Sequence, residues 1–183
     1  MPVRVTPETF SMVNYDSAVI AATVEKLIAD VGLPTDTPVS LEVDERVPLG
    51  KAEIRSVDPI ELFVEGGAIE DAKRPREFSS EAALDVVGRL LMEVRDRLDP
   101  AFGAPPLDEE ITVPVRTAWE IYAVGRLSRR GHRGQRQRRL YAFRTRHGFT
   151  DVADAAFESL WSGDGLCFAD VVRISESTRQ MLR

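Results

Sequence analysis

The chain has 183 residues, 43% of them hydrophobic and 30% charged, and a formal net charge of -6. That is enough apolar material for one folded domain, or one domain with a small appendage, and it excludes a disordered chain. The one cysteine, Cys167, excludes an internal disulfide framework and a cysteine-rich zinc site.

The opening residues, MPVRVTPETFSMVNYDS, lack the apolar run of a signal peptide, and no window approaches the roughly 18 apolar residues of a membrane span. A cytoplasmic chain without membrane contact is expected. Residues 7–31 then read as helix. Thr6-Pro7-Glu8 supplies one start and Asp16 a second. Ile20, Val24, Leu27, Ile28 and Val31 share a face, and Gly32 and Pro34 end the run.

The period changes to two over residues 38–66. Val39, Leu41 and Val43 alternate with polar residues, as do Ala52 and Ile54, and then Ile60, Leu62 and Val64. Pro48-Leu49-Gly50 and Asp58-Pro59 mark turns between them. The pattern predicts a three-stranded antiparallel meander with one face covered by helices.

Residues 79–99 carry the strongest helical period. Leu84, Val87, Leu91, Val94 and Leu98 form one stripe, with opposite-charge pairs Asp85/Arg89, Arg89/Glu93 and Glu93/Arg97 expected on the outer face. Asp99-Pro100 stops the helix. Residues 101–112 hold Gly103, Pro105 and Pro106 and read as a loop. Four helices follow, over about 114–128, 136–147, 151–162 and 167–176, separated by glycines. The expected fold class is therefore α+β. An α+β part spans residues 1–100, the Pro/Gly loop 101–112, and a helical part 113–183, all within one compact domain.

The charge is unevenly placed. Residues 126–147, RLSRRGHRGQRQRRLYAFRTRH, hold nine arginines and no acidic residue in 22 positions, whereas the rest of the chain carries 30 acidic and 15 basic residues. An arginine fork donates two parallel hydrogen bonds to one anionic group, and a line of forks suits the repeating phosphates of nucleic acid. Arg129, Arg130, Arg133, Arg136, Arg138, Arg139, Arg144 and Arg146 are the candidate polyanion-binding residues. Tyr141 and Phe143 lie inside the run, and aromatic rings beside arginines stack on unpaired bases. Phe143 shares a stripe with Leu140 and His147, which points it to the core instead. The zinc-finger, RNA-binding and basic-zipper signatures are absent from the sequence. The same arginines also suit an acidic protein surface or a second copy of the chain, and a solvated surface is the plain alternative.

A second candidate is the segment VEGGAIEDAKRPREFSS, residues 64–80. Glu65, Gly66, Gly67, Glu70, Asp71, Arg74 and Arg76 combine a flexible backbone with dense opposite charge next to a strand, the composition of a polar-ligand loop. Charges pairing with each other across a solvated connection give the same composition. Asp151, Asp154 and Glu158 share a helix face, as divalent-cation ligands do, although Thr150 or Asp151 as a helix cap explains the pattern more simply. Cys167, between Leu166 and Phe168, reads as a small buried apolar residue, and Trp119, Tyr122 and Trp161 read as core. No catalytic residue, metal or cofactor is assigned. The sequence leads to a non-catalytic binding or regulatory module whose Arg-rich helical segment contacts a polyanion, nucleic acid before others. The rivals are a protein-interaction or homo-oligomeric module that docks the segment on an acidic surface, and a small enzyme or ligand binder using residues 65–76.

Overall fold

The computed structural model describes residues 3–106 and 108–178. They form two compact units, Met1–Arg95 and Asp96–Arg183.

The first unit contains strands β1 (Val3–Thr6), β2 (Val39–Asp44), β3 (Ala52–Val57) and β4 (Ile60–Glu65) in one sheet, ordered β1-β2-β4-β3. The sheet is mixed and four-stranded, which corrects the expected three-stranded antiparallel meander. Strand β2 pairs in parallel with β1 and β4, and only β3 runs antiparallel, beside β4. Two physical reasons account for the difference. First, Val3 and Val5 form a strand with one face buried, but two alternating residues are too few to register as a period. Second, β2 places Val39, Leu41 and Val43 beside Ile60, Leu62 and Val64 of β4, and all six are nearly inaccessible. The two most apolar strands thus become neighbours. The half-buried β3 takes the outside position.

Parallel strands β1 and β2 need a crossover, and helix α1 (Ser17–Val31) supplies it. Asp16 caps it: its carboxylate accepts hydrogen bonds from the Ala18 and Val19 amides. The helix therefore begins at the second of the two expected starts. Residues 7–16 form an irregular segment held by Glu45, whose carboxylate accepts from the Ser11 amide at 2.8 Å and the Met12 amide at 2.7 Å. Those amide hydrogen bonds, led by Met12, hold the Glu45 carboxyl below its usual range.

Helix α2 (Ser80–Leu98) follows a small hairpin. Ala83, Val87, Leu90, Leu91, Met92 and Val94 are buried, whereas Leu84 is half-buried and Leu98 exposed. The buried stripe is wider than expected at its centre and ends before Leu98. Glu93 is also buried, and Arg89 pairs with it at 3.0 Å, so this pair is not on the outer face.

The second unit is helical: α3 (Val113–Arg129), α4 (Arg136–His147), α5 (Asp151–Ser162) and α6 (Phe168–Ser177). These bounds agree with the sequence reading to within a few residues. Helix α3 is the centre, with α4, α5 and α6 packed on it. Tyr122, Phe143 and Phe157 are fully buried in a cluster that includes Trp119, Ala118, Leu160 and Val171. Gly125 lets α3 approach α5, because a side chain there would meet the backbone at Trp161.

Leu91→Ala is expected to destabilise the protein by about 2–5 kcal/mol, because its side chain is fully buried. Leu98→Ala, seven residues along the same stripe but exposed, should change stability by less than about 0.5 kcal/mol. Urea unfolding of both variants checks the contrast, and equal losses would contradict it.

Candidate polyanion surface

The basic segment runs from the last turn of α3, through a turn at residues 130–135, to the end of α4. Its arginines have separate roles, and the first belongs to the interior. Arg126 is 8% exposed. Its guanidinium donates two hydrogen bonds of 2.6 Å to the Asp96 carboxylate, and the Trp119 indole donates a third, at 2.7 Å, to the same group. The guanidinium also lies 3.9 Å from the centre of the Tyr122 ring. Positions 119, 122 and 126 share one helix face, which is why this arginine enters the core. Arg97, also near this cluster, stacks over Trp119 and pairs with Asp108.

Arg129 is exposed and donates to the carbonyls of Trp161 and Gly163, at the C-terminal end of α5. Cations are favoured there because the last carbonyls have no partner within the helix. Arg136 pairs with Glu158. Arg144 binds Asp154 through two hydrogen bonds. That pairing holds the Asp154 carboxyl below its usual range and raises the guanidinium. Arg130, Arg133 and Arg139 are also engaged by other groups. Arg138 reaches the Gln135 side-chain oxygen at 3.3 Å, and Arg146 is exposed.

Helix α4 therefore has two contrasting sides. Leu140, Phe143 and His147 pack inward, as the stripe predicted. The Phe143 and His147 rings stack at 3.8 Å, and the His147 Nε2 lies 2.9 Å from the Ser175 hydroxyl. Arg138, Tyr141, Ala142, Thr145 and Arg146 are all exposed and fall within an arc of about 140°. Tyr141 is 66% exposed and Phe149 63%, and their rings meet edge to face with centres 5.8 Å apart. Phe149 was missed in the sequence. It follows the helix-ending Gly148, where no period marks it, and a large apolar residue directly after such a stop was the available signal.

The N-terminal end of α4 is unusual. Its N-cap residue, Gln135, makes no side-chain capping bond and has φ 44°, and the first turn contains no carboxylate. Arg136, Arg138 and Arg139 stand there instead, adding positive charge to the positive end of the helix dipole.

The segment at residues 64–80 has another form. Glu65 ends β4, and Gly66 and Gly67 begin a short 3-10 turn through Ile69. Strands β5 (Glu70–Asp71) and β6 (Arg74–Phe78) then make a two-stranded hairpin. Asp71 pairs with Arg74 at 2.8 Å across its turn, and Arg76 has φ 66°. Glu65 accepts from the Lys51 amide. Gly67 is needed for close approach, because a side chain would run into the backbone of Pro48 and Leu49. The Tyr15 hydroxyl donates to the Gly66 carbonyl at 2.8 Å, and burial, reinforced by Glu70, pushes its pKa up to about 12. Asp71 thus binds within its own turn, whereas Glu65 and Glu77 reach Lys51 and Asn14 elsewhere in the first unit.

A concavity of about 800 Å³ lies in the helical unit, lined by residues including Phe102, Ala104, Cys167, Phe168, Val172 and Arg173. Cys167 is half-exposed and its thiol donates to Asp170 at 3.2 Å, so it is not the buried apolar residue expected. Asp170 also receives Arg173, and these bonds, Arg173 first, lower its pKa. Asp154 and Glu158 are committed to arginines, and Thr150 caps α5 by accepting from the Ala153 amide. Among the described residues, no group of acidic, histidine or cysteine side chains is arranged to hold a metal ion. None of their helices is long and apolar enough to cross a membrane. Comparison with protein-family models, curated proteins and solved structures finds no match to this chain.

Replacing Arg126 with Met strands a buried carboxylate, Asp96, and should cost about 3–5 kcal/mol in urea unfolding. Adding Asp96→Leu should recover much of that loss. A small effect of the single variant would contradict the interior role. The Arg144–Asp154 pair should depend on pH. Its folded Asp154 pKa lies below the ordinary 3.8, so its stabilisation is present above that value and is lost as pH falls through the lowered one. The gap in melting temperature between wild type and Asp154→Asn should therefore narrow from about pH 6 to about pH 3. A constant gap would contradict the pairing.

Proposed function

We propose that this protein is a non-catalytic binding module that contacts nucleic acid through the exposed face and N-terminal end of α4. The observation that carries this reading is the first turn of that helix. A helix end already bearing partial positive charge has arginines at positions 136, 138 and 139 and no carboxylate of its own. Helices usually place acids there. The unfavourable end persists because Leu140, Phe143 and His147 anchor the other side. A phosphate group would relieve it, through the amides of the first helical turn and the exposed Arg138 guanidinium together.

The acidic remainder of the chain limits the contact to one face. The pairs of Arg136 with Glu158 and of Arg144 with Asp154 supply some of the arginines with partners from within the chain. These pairs are exposed enough to exchange for phosphate, since surface ion pairs are worth only about 0–1 kcal/mol. The same pairs favour a second reading, in which the segment docks on an acidic protein surface.

Labelled single- and double-stranded oligonucleotides titrated at two salt concentrations test the proposal. Affinity should fall with salt at a log–log slope of about -3 to -5, for four to six neutralised phosphates. Arg138→Glu with Arg146→Glu should weaken binding by more than about tenfold and flatten the slope, with helix content unchanged. Absence of binding at low salt would overturn the reading. A protein mass in light scattering that drops to monomer in those variants would support the acidic-surface reading instead.

A further inference from the structure

The outward side of α4 contains a feature that phosphate binding does not use. Tyr141 and Phe149 are two of the most exposed large hydrophobic residues among those described, at 66% and 63%. They are in contact with each other, with ring planes inclined at 69°. A solvated basic surface has no need of them. Exposing two adjoining aromatic rings costs hydrophobic free energy that the interior would recover. The other aromatic residues of α4 and α5, Phe143, Phe157 and Trp161, are turned into the core or packed against it.

The neighbours of the pair are cationic. Tyr141 stands between Arg138, three residues before it, and Arg144, three after it, on adjoining helix turns. Arg138 lies about 60° around the helix from Tyr141 and one turn before it, whereas Arg146 lies about 140° away, at the other edge of the exposed arc. An aromatic surface beside an exposed guanidinium offers two kinds of contact at once: stacking for a planar ring and charge for the backbone that bears it.

We infer that Tyr141 and Phe149 form a stacking platform for an unpaired nucleobase, so that the protein prefers single-stranded nucleic acid to duplex. This rests on the proposed polyanion contact and extends it to a ligand class. In a duplex the base faces are covered by their neighbours, and a protein meets base edges and phosphates. Only an unpaired base can lay its face on a ring, and every base has one, so stacking brings preference for strandedness without preference for sequence. Arg138, on the neighbouring turn, then takes a flanking phosphate. The inclined second ring meets the edge of a base stacked on the first.

The test uses the full chain and fluorescence anisotropy with four probes. These are a short labelled single-stranded DNA, the RNA of the same sequence, their DNA duplex, and inorganic polyphosphate in competition as a polyanion without bases. The wild type should bind the single strands at least about tenfold more tightly than the duplex. Tyr141→Ala should lower single-strand affinity about tenfold and leave duplex and polyphosphate binding within about twofold. Tyr141→Trp should retain the preference, because a larger ring stacks as well. Both positions are exposed, so the variants should keep the wild-type circular dichroism. Phe149→Ala should lower single-strand affinity in the same direction as Tyr141→Ala, with duplex and polyphosphate binding again within about twofold. Equal binding of single strands and duplex, or a Tyr141→Ala loss shared by all probes, would overturn the platform while leaving the polyanion contact intact. No binding to any probe would remove the polyanion contact itself, and the platform with it. A Tyr141→Ala variant that changes only the mass in light scattering would mark the rings as a contact between copies and would equally overturn the inference.

Discussion

A single buried carboxylate organises the helical unit. Asp96, 3% exposed, accepts the Arg126 fork and the Trp119 indole through its two oxygens. A charge in that position needs partners, because an unpaired buried ion costs far more than the pair returns. The requirement fixes the rotation of α3, since only one face of that helix presents positions 119, 122 and 126 together. The same rotation sets Gly125 against α5 and Tyr122 where its hydroxyl accepts the Leu166 amide at 3.0 Å. The helices that pack on α3 follow from this orientation.

That orientation divides the basic segment. Arg126 is drawn inward and becomes part of the core. Arg129, three residues later, emerges at the carbonyl end of α5 and ties that end to α3. From Arg136 onward the chain turns into α4, whose apolar stripe of Leu140, Phe143 and His147 faces the cluster. The remaining positions lie off that stripe and are occupied by five arginines together with Gln137, Tyr141, Ala142 and Thr145. Composition alone makes the nine arginines one block. The fold divides them into an interior counter-ion, a helix-end ligand, carboxylate partners and an outward face.

How much of this was legible depended on the length of each pattern. The four C-terminal helices and α2 were readable because their periods run for ten residues or more between glycines and prolines. Inward placement of Phe143 and His147 followed from the same periods. Strand β1 was not readable, since Val3 and Val5 give only one alternation, and strand order was not, because pairing depends on contacts between residues distant in sequence. The hairpin at residues 70–78 was not readable as a hairpin, because a charged turn and a charged site have the same composition, and the pairing of Asp71 with Arg74 depends on the fold of the turn. In the candidate surface, the arginines were visible as a cluster, but their partners were not. Arg126 was the exception: its place at 119, 122 and 126 on a buried stripe was open to the same period argument that identified Trp119 and Tyr122.

The central claim is that the outward face of α4, and not the basic segment as a block, is the part that meets nucleic acid. Amide chemical-shift mapping tests it most directly, with isotope-labelled full-length protein and a short single-stranded oligonucleotide at low salt. The account predicts shifts concentrated at residues 135–149, with the Arg126 side chain and its Asp96 and Trp119 partners unchanged. Shifts centred on the first unit, or no shifts at saturating oligonucleotide, would contradict it.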